Sequence, residues 1–180
     1  MDRVQARKDL IAQDQQAFLG IDQTQLDNLA QAIIDAKRIY VGGWGRAGNV
    51  VKILAMNCSQ AGLTAHIIGD NTTPSIHEGD LLVIGTGGGE TKTMALIAKQ
   101  AKDHGAKVGC ITGNPDSTIA KLSEYPVIVP KMDIPEGTPT KAHGSFYHVM
   151  LMVTDIVMAY VCEVLGVTSE DIHYNHNNLE

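Results

Sequence analysis

The sequence is poor in cysteine and in basic residues. Its 180 residues include 3 cysteines, which are widely spaced and form no Cys-x-x-Cys pair: Cys58, Cys110 and Cys162. This spacing indicates neither a disulfide framework nor a zinc knuckle. The 14 lysines and arginines are outnumbered by 20 aspartates and glutamates and form no basic run, which argues against a nucleic acid as the partner.

Long apolar segments also look scarce. No apolar run approaches the ~20 residues that span a bilayer, and the opening MDRVQARKDL lacks the apolar stretch of a signal peptide. We therefore expect a cytoplasmic protein without a membrane partner. The length suits a single domain over residues 1–180, because domains most often contain roughly 100–150 residues and a second catalytic domain would not fit.

The apolar pattern changes period along the chain. Residues 1–37 predict two leading helices, because apolar residues recur there at helical spacing. Residues 38–130 alternate helices with short buried strands, which we place at 38–43, 64–70, 80–85, 107–112 and 125–130. Residues 143–180 predict a long apolar helix capped by Ser145 and a short helix capped by Ser169.

Alternation of strands and helices with short links implies parallel strands joined by right-handed crossovers. The sequence therefore predicts an α/β fold with three layers, in which a doubly wound, five-stranded parallel sheet has flavodoxin-like topology. Extra helices precede and follow the sheet.

Two glycine-rich turns follow the first and third strands. The first turn is residues 42–48, GGWGRAG, and the second turn is residues 86–91, TGGGET. Ligands of open α/β sheets bind where the winding reverses, usually between these two strands. Glycine lets a phosphate approach the amides at a helix start, where the dipole favours negative charge. Each turn alone could serve only to close the chain, but the pair predicts one phosphate site, to which Thr86 and Thr91 add hydroxyls and Arg46 a charge.

The first turn also permits a different ligand. Residues 43–48 form a Gly-x-Gly-x-x-Gly pattern, and Asp70 lies near the end of the second strand, as in a dinucleotide site. An NAD(P)-dependent oxidoreductase therefore stays open. The chain has 7 histidines, of which His173 and His176 share a helical face; because the motif lacks a third ligand, we expect no metal site.

Four segments carry a family resemblance: VGGWGRAG (41–48), TTPSIHEGDLLVIGTGGGETKT (72–93), GAKVGCITGNPDSTIAKL (105–122) and HNNLE (176–180). They resemble the sugar isomerase (SIS) domain family and, within it, the 6-phospho-3-hexuloisomerases. The resemblance implies interconversion of 6-phospho-3-hexulose and fructose 6-phosphate through an enediol, without a metal or organic cofactor. It assigns the phosphate to Gly45, Arg46 and Ala47 and to Thr86, Gly87, Gly88, Gly89 and Thr91.

The resemblance also implies a homotetramer, or at least a dimer, in which His176 of the C-terminal tail reaches the active site of a neighbouring subunit. The family commonly has serine at the positions of Ala47 and Gly88, and a glutamate where this chain has His148. We therefore expect His148 or Glu90 to take the proton. The same departures leave open a non-catalytic protein that binds sugar phosphates.

Overall fold

A computed structural model of the chain describes residues 2–131 and 146–179. Its helices are α1 (Arg3–Leu19), α2 (Gln23–Asp35), α3 (Gly45–Gln60), α4 (Lys92–Asp103), α5 (Thr118–Leu122), α6 (Phe146–Leu165) and α7 (Ser169–Tyr174). Its strands are β1 (Ile39–Gly43), β2 (Ala65–Ile67), β3 (Leu81–Thr86), β4 (Lys107–Thr112) and β5 (Tyr125–Ile128).

The five strands form one parallel sheet in the order β2-β1-β3-β4-β5. On β3, Leu81 and Val83 face a core shared with α2, α3 and α6, whereas Leu82 and Ile84 face a second core shared with α4 and α5. Helices therefore cover both faces of the sheet, which confirms the three-layer α/β prediction. The winding reverses between β1 and β3, where Gly43 lies opposite Gly85.

Several element boundaries differ from the prediction. Helix α3 begins at Gly45, inside the glycine-rich turn 42–48, and β2 is shorter than the predicted stretch 64–70. The N-cap of α7 is Thr168 and not Ser169, because Thr168 and Asp171 form a reciprocal capping box. The predicted cap Ser145 lies outside the described residues.

The prediction that no apolar run approaches the length of a membrane span is wrong for helix α6. By length and composition α6 qualifies, with 20 residues and a mean hydropathy of 1.7. The core helix of a soluble protein satisfies the same criteria. In this chain α6 packs one side against α1, α2 and α3, and its buried residues include Val153 and Val157.

An ion pair fixes the register of β1 against β3. Arg38 donates to Asp80 through Nε at 3.1 Å and through Nη2 at 2.7 Å, and the His77 backbone N–H donates to Asp80 at 2.8 Å. Arg38 and Asp80 directly precede Ile39 and Leu81, which pair in the sheet. Burial raises the pKa of the Asp80 carboxyl, but the hydrogen bonds from Arg38 and His77 outweigh burial and leave the pKa below its ordinary value.

We expect Asp80→Asn to destabilise the protein by about 2–4 kcal/mol at pH 7, because the substitution leaves Arg38 without its charged partner. Since the folded pKa is depressed, the stabilisation is present above about pH 4 and is lost as the pH falls through the folded pKa. The difference from wild type should therefore shrink below that pH. Urea unfolding across this range measures it, with Asp103→Asn at an exposed position as the control. An equal difference at all pH values would contradict the assignment.

Candidate active site

The first glycine-rich turn is packed tightly on itself, and its Gly43 lies against Gly85 near the end of β3. A Cβ atom added at Gly48 would lie 2.3 Å from the carbonyl oxygen of Gly43, and one added at Gly43 would lie 2.7 Å from the carbonyl oxygen of Gly85. At Gly85 an added Cβ would lie 2.3 Å from Cε of Met150 in α6. These three glycines are therefore required for packing, and they bring the starts of α3 and α4 to one edge of the sheet.

Helices α3 and α4 lack the side-chain caps that the other helices with described N-caps have. Among the six helices whose N-caps the structure describes, four carry an aspartate, serine or threonine that accepts a hydrogen bond from the first turn. The N-caps of α3 and α4 are Trp44 and Thr91, and neither side chain makes such a bond. Uncapped N–H groups together with the helix dipole form an anion site.

The first backbone hydrogen bond of α3 shows which N–H groups lie at its N-terminus. Its first intrahelical bond runs from the Gly48 N–H to the Trp44 carbonyl at 3.1 Å. Gly45, Arg46 and Ala47 precede that bond and form the first turn of α3, where backbone N–H groups point out of the helix N-terminus. Gly45 has a φ of +59°, which glycine adopts readily, and an added Cβ there would meet nothing within 4 Å.

The second glycine-rich turn is held by hydrogen bonds that its carbonyl oxygens accept from the loop after β4. The carbonyl oxygen of Gly87 accepts from the Gly113 N–H at 3.0 Å, and that of Gly88 accepts from Asn114 Nδ2 at 3.3 Å. Because the C=O and N–H of a trans peptide point in opposite directions, the Gly88 N–H points away from the loop after β4. An added Cβ at Gly88 would meet nothing within 4 Å, so this position is open to a ligand.

Thr86 and Gly89 brace this turn. The buried Thr86 Oγ1 accepts from the Gly89 N–H at 3.2 Å, so that amide is used within the turn. Gly89 has a φ of +71°, and an added Cβ would lie 1.9 Å from Oγ of Ser117. The Gly89 amide therefore shapes the turn and is already satisfied, whereas the Thr86 hydroxyl keeps its own proton to donate.

Glu90 is engaged at the start of α5. One carboxylate oxygen accepts from the Thr118 N–H and the other from Thr118 Oγ1, both at 2.8 Å. These bonds, the backbone one first, lower the pKa of the Glu90 carboxyl. A carboxylate with a lowered pKa and two occupied oxygens is a weak proton acceptor. Glu90 as the base stays a prediction, but its geometry favours His148 for that role.

Two aromatic residues at the start of α6 cover the turns. The Arg46 guanidinium lies over the Tyr147 ring, 4.1 Å from its centre. The Tyr147 hydroxyl lies 3.8 Å, and a Phe146 ring carbon 3.7 Å, from the position of an added Cβ at Gly87. Tyr147 thus contacts both turns. Tyr147 could not be predicted as a site residue from the sequence, because no spacing rule relates residue 147 to residues 46 and 87.

Trp44 joins the two uncapped helices. Its indole N–H donates to Thr93 Oγ1 in the first turn of α4 at 2.8 Å. The side chain is 61% exposed, so its ring stands at the rim of the anion site. In the sequence, Trp44 is only one residue of the glycine-rich motif. It is the single tryptophan of the chain, and that is the signal by which it could have been identified.

The candidate catalytic histidines lie apart within one chain. His148 Nδ1 lies 3.0 Å from Asp14 Oδ2 on α1. The exposed His176 lies just after α7. Asn175, the residue before it, donates from Nδ2 to the carbonyl oxygen of Gln60 at 3.2 Å, and Gln60 is the last residue of α3. Helix α3 has 16 residues and is therefore about 24 Å long. The tail at its far end thus lies far from the first glycine-rich turn of the same chain.

Neither the dinucleotide nor the metal alternative gains support from the geometry. Asp70 lines a pocket beside β2 with Lys52 and Thr72, and no residue of either glycine-rich turn lines that pocket. Over residues 2–131 and 146–179, no group of three or more histidine, cysteine, aspartate or glutamate side chains could hold a metal ion.

Known proteins resemble this chain in sequence and in fold. The SIS domain family matches residues 32–160. The 3-hexulose-6-phosphate isomerase of Mycobacterium gastri is 37% identical over 164 residues, which cover 89% of this chain and 82% of that protein. The enzyme of the same name from Bacillus subtilis is 34% identical, with 89% of each chain covered.

A solved structure agrees with these relatives. A hypothetical protein from Methanococcus jannaschii superposes with a TM-score of 0.80 and 26% identity, covering 100% of both chains, and its structure was reported to infer a 3-hexulose-6-phosphate isomerase. The chain belongs to the SIS domain family, which confirms the resemblance that its motifs suggested. A single domain over residues 1–180 stays a prediction.

We expect Gly48→Ala to destabilise the protein by about 3 kcal/mol or more, because the new methyl group collides with the backbone of Gly43. Gly88→Ala is the matched control, since the same methyl group enters open space there and should change the stability by less than about 1 kcal/mol. Urea unfolding measures both variants. Equal stabilities would show that the backbones of Gly43 and Gly48 do not approach each other as described.

Proposed function

We propose that the protein is a sugar-phosphate isomerase that interconverts 6-phospho-3-hexulose and fructose 6-phosphate. The observation that carries the proposal is the pair of uncapped helix starts, α3 and α4, which glycine packing brings together at the sheet edge. The curated relatives from Mycobacterium gastri and Bacillus subtilis, both named for this reaction, support it.

The phosphate is anchored by backbone amides. The N–H groups of Gly45, Arg46 and Ala47 supply one side, and those of Gly88 and the first turn of α4 supply the other. The hydroxyls of Thr86 and Thr91 complete the site. Amide donors and helix dipoles hold a dianion without an excess of lysine or arginine, which fits the formal net charge of −6.

His148 is the proton acceptor in this proposal. In 6-phospho-3-hexulose the base takes the proton from carbon 2, and the electron pair forms a carbon 2–carbon 3 enediolate with negative charge on the carbon 3 oxygen. Returning the proton to carbon 3, and moving the hydroxyl proton from the carbon 2 oxygen to the carbon 3 oxygen, yields fructose 6-phosphate. The reaction needs no external oxidant or reductant. Its rate depends on a base of suitable pKa and on donors to the enediolate.

The second turn offers a matched test of phosphate binding. Gly88→Asp places a negative charge beside the α4 start, so we expect fructose 6-phosphate to bind about tenfold more weakly or worse. Gly88→Asn has nearly the same size without the charge and should stay within about threefold of wild type. Thermal shift and calorimetric titration measure the affinities. Equal weakening by both substitutions would contradict a phosphate site there.

Turnover tests the reaction itself. Wild-type protein should convert fructose 6-phosphate and 6-phospho-3-hexulose into each other, measured by NMR of the sugar carbons. Binding without turnover would favour the non-catalytic alternative, which the departures at Ala47, Gly88 and His148 motivate. No binding of either sugar phosphate would reject both.

We also propose that the active site is completed by a second copy of the chain. The tail carries exposed apolar side chains, with Tyr174 at 87% and Leu179 at 93% exposure, and it lies far from the first turn of its own chain. Docking on a neighbouring subunit would bury these side chains and bring His176 to that subunit's active site. A homo-oligomer, a tetramer or a dimer, is the assembly proposed; a cytoplasmic location stays a prediction.

Subunit mixing tests the shared site. His148→Gln and His176→Gln should each lose at least about 100-fold in kcat, because each removes a group that handles protons. Co-expressed, the two variants should regain about a quarter of the wild-type activity, since half of the subunits supply each histidine. No recovery, in oligomers shown to be mixed by mass spectrometry, would place both histidines in one chain's site or remove His176 from the chemistry.

A further inference from the structure

Helix α1 contributes a carboxylate to the base. We propose that Asp14 orients His148 and holds its imidazole in the tautomer with the proton on Nδ1, so that Nε2 accepts the substrate proton. This inference rests on the proposed function for its catalytic consequence, although the orientation itself can be measured without turnover.

The contact geometry sets the tautomer. Asp14 Oδ2 lies 3.0 Å from Nδ1 of His148. An ionised carboxylate only accepts hydrogen bonds, so Nδ1 carries the hydrogen and the neutral ring keeps its lone pair on Nε2. A carboxylate behind an imidazole is a recurring way to fix the tautomer of a base.

The position of the pair matches the anion site. Phe146, two residues before His148, lies against Gly87 and Gly113, which follow the ends of β3 and β4. Helix α1 ends on the same side, because a Cβ added at Gly20 would lie 3.3 Å from Cγ of Pro130, which follows β5. The first turn of α6, which carries His148, therefore begins at the edge of the sheet where both glycine-rich turns lie, and the end of α1 lies on that side too.

The burial of the pair is asymmetric. The His148 side chain is 48% exposed and the Asp14 side chain 18%, and Asp14 Oδ1 is buried without a hydrogen-bond partner in the described part of the chain. A buried unpaired carboxylate oxygen adds no stability. The arrangement anchors the histidine through Nδ1 and leaves 48% of its side chain exposed.

Asp14→Asn tests the role. The amide can donate to Nδ1 and move the ring proton to Nε2, so we expect kcat to fall about 10- to 100-fold with KM within about threefold. Asp14→Glu restores a carboxylate and should recover part of the loss. Asp9→Asn, on the same helix at a partly exposed position, is the control and should leave kcat unchanged.

The ring ¹⁵N spectrum of His148 gives a readout independent of turnover. Wild type should show the tautomer protonated on Nδ1, and Asp14→Asn the one protonated on Nε2. An unchanged tautomer, an unchanged kcat, or a rise in KM alone would overturn the proposal. If wild-type protein converts neither sugar phosphate, the proposed function fails, and the ¹⁵N spectrum alone then decides whether Asp14 orients His148.

Discussion

The close approach of Gly48 to Gly43, and of Gly43 to Gly85, is the constraint on which the site depends. No side chain fits between these backbones, so the ends of β1 and β3 stand in contact and the starts of α3 and α4 point at one space. The ion pair between Arg38 and Asp80 fixes the same two strands at their other ends. The register that the ion pair fixes at the start of β1 and β3 thus determines which residues lie opposite each other at the ends of these strands.

The helix starts at this edge give up stability for function. A side-chain cap is worth about 1 kcal/mol, and the helices away from the switch point whose caps are described have one. Helices α3 and α4 have Trp44 and Thr91 instead, without a capping bond. In the proposed function, a bound phosphate would supply the missing acceptor. The ligand would then complete two helix starts that lack side-chain caps, and an excess of basic residues would not be needed.

Much of this architecture follows from local sequence. Alternating apolar strands and helices determine the parallel sheet, and glycine after β1 and β3 marks the switch point, because both signals lie within about 20 residues. The contacts of Tyr147 with Arg46, and of His148 with Asp14, join residues about 100 or more positions apart. No periodicity encodes such pairs. The engagement of Glu90 at α5 was missed for the same reason, since its partner Thr118 lies 28 residues further along.

The most direct test of the central claim is solvent hydrogen exchange into fructose 6-phosphate. In heavy water, a base that forms the enediolate between carbons 2 and 3 should place deuterium on carbon 3 of recovered fructose 6-phosphate, as seen by NMR. His148→Gln should slow this exchange about 100-fold or more. Exchange at carbon 1 instead would indicate a different isomerisation. No exchange at any carbon, with fructose 6-phosphate bound, would contradict catalysis at this site.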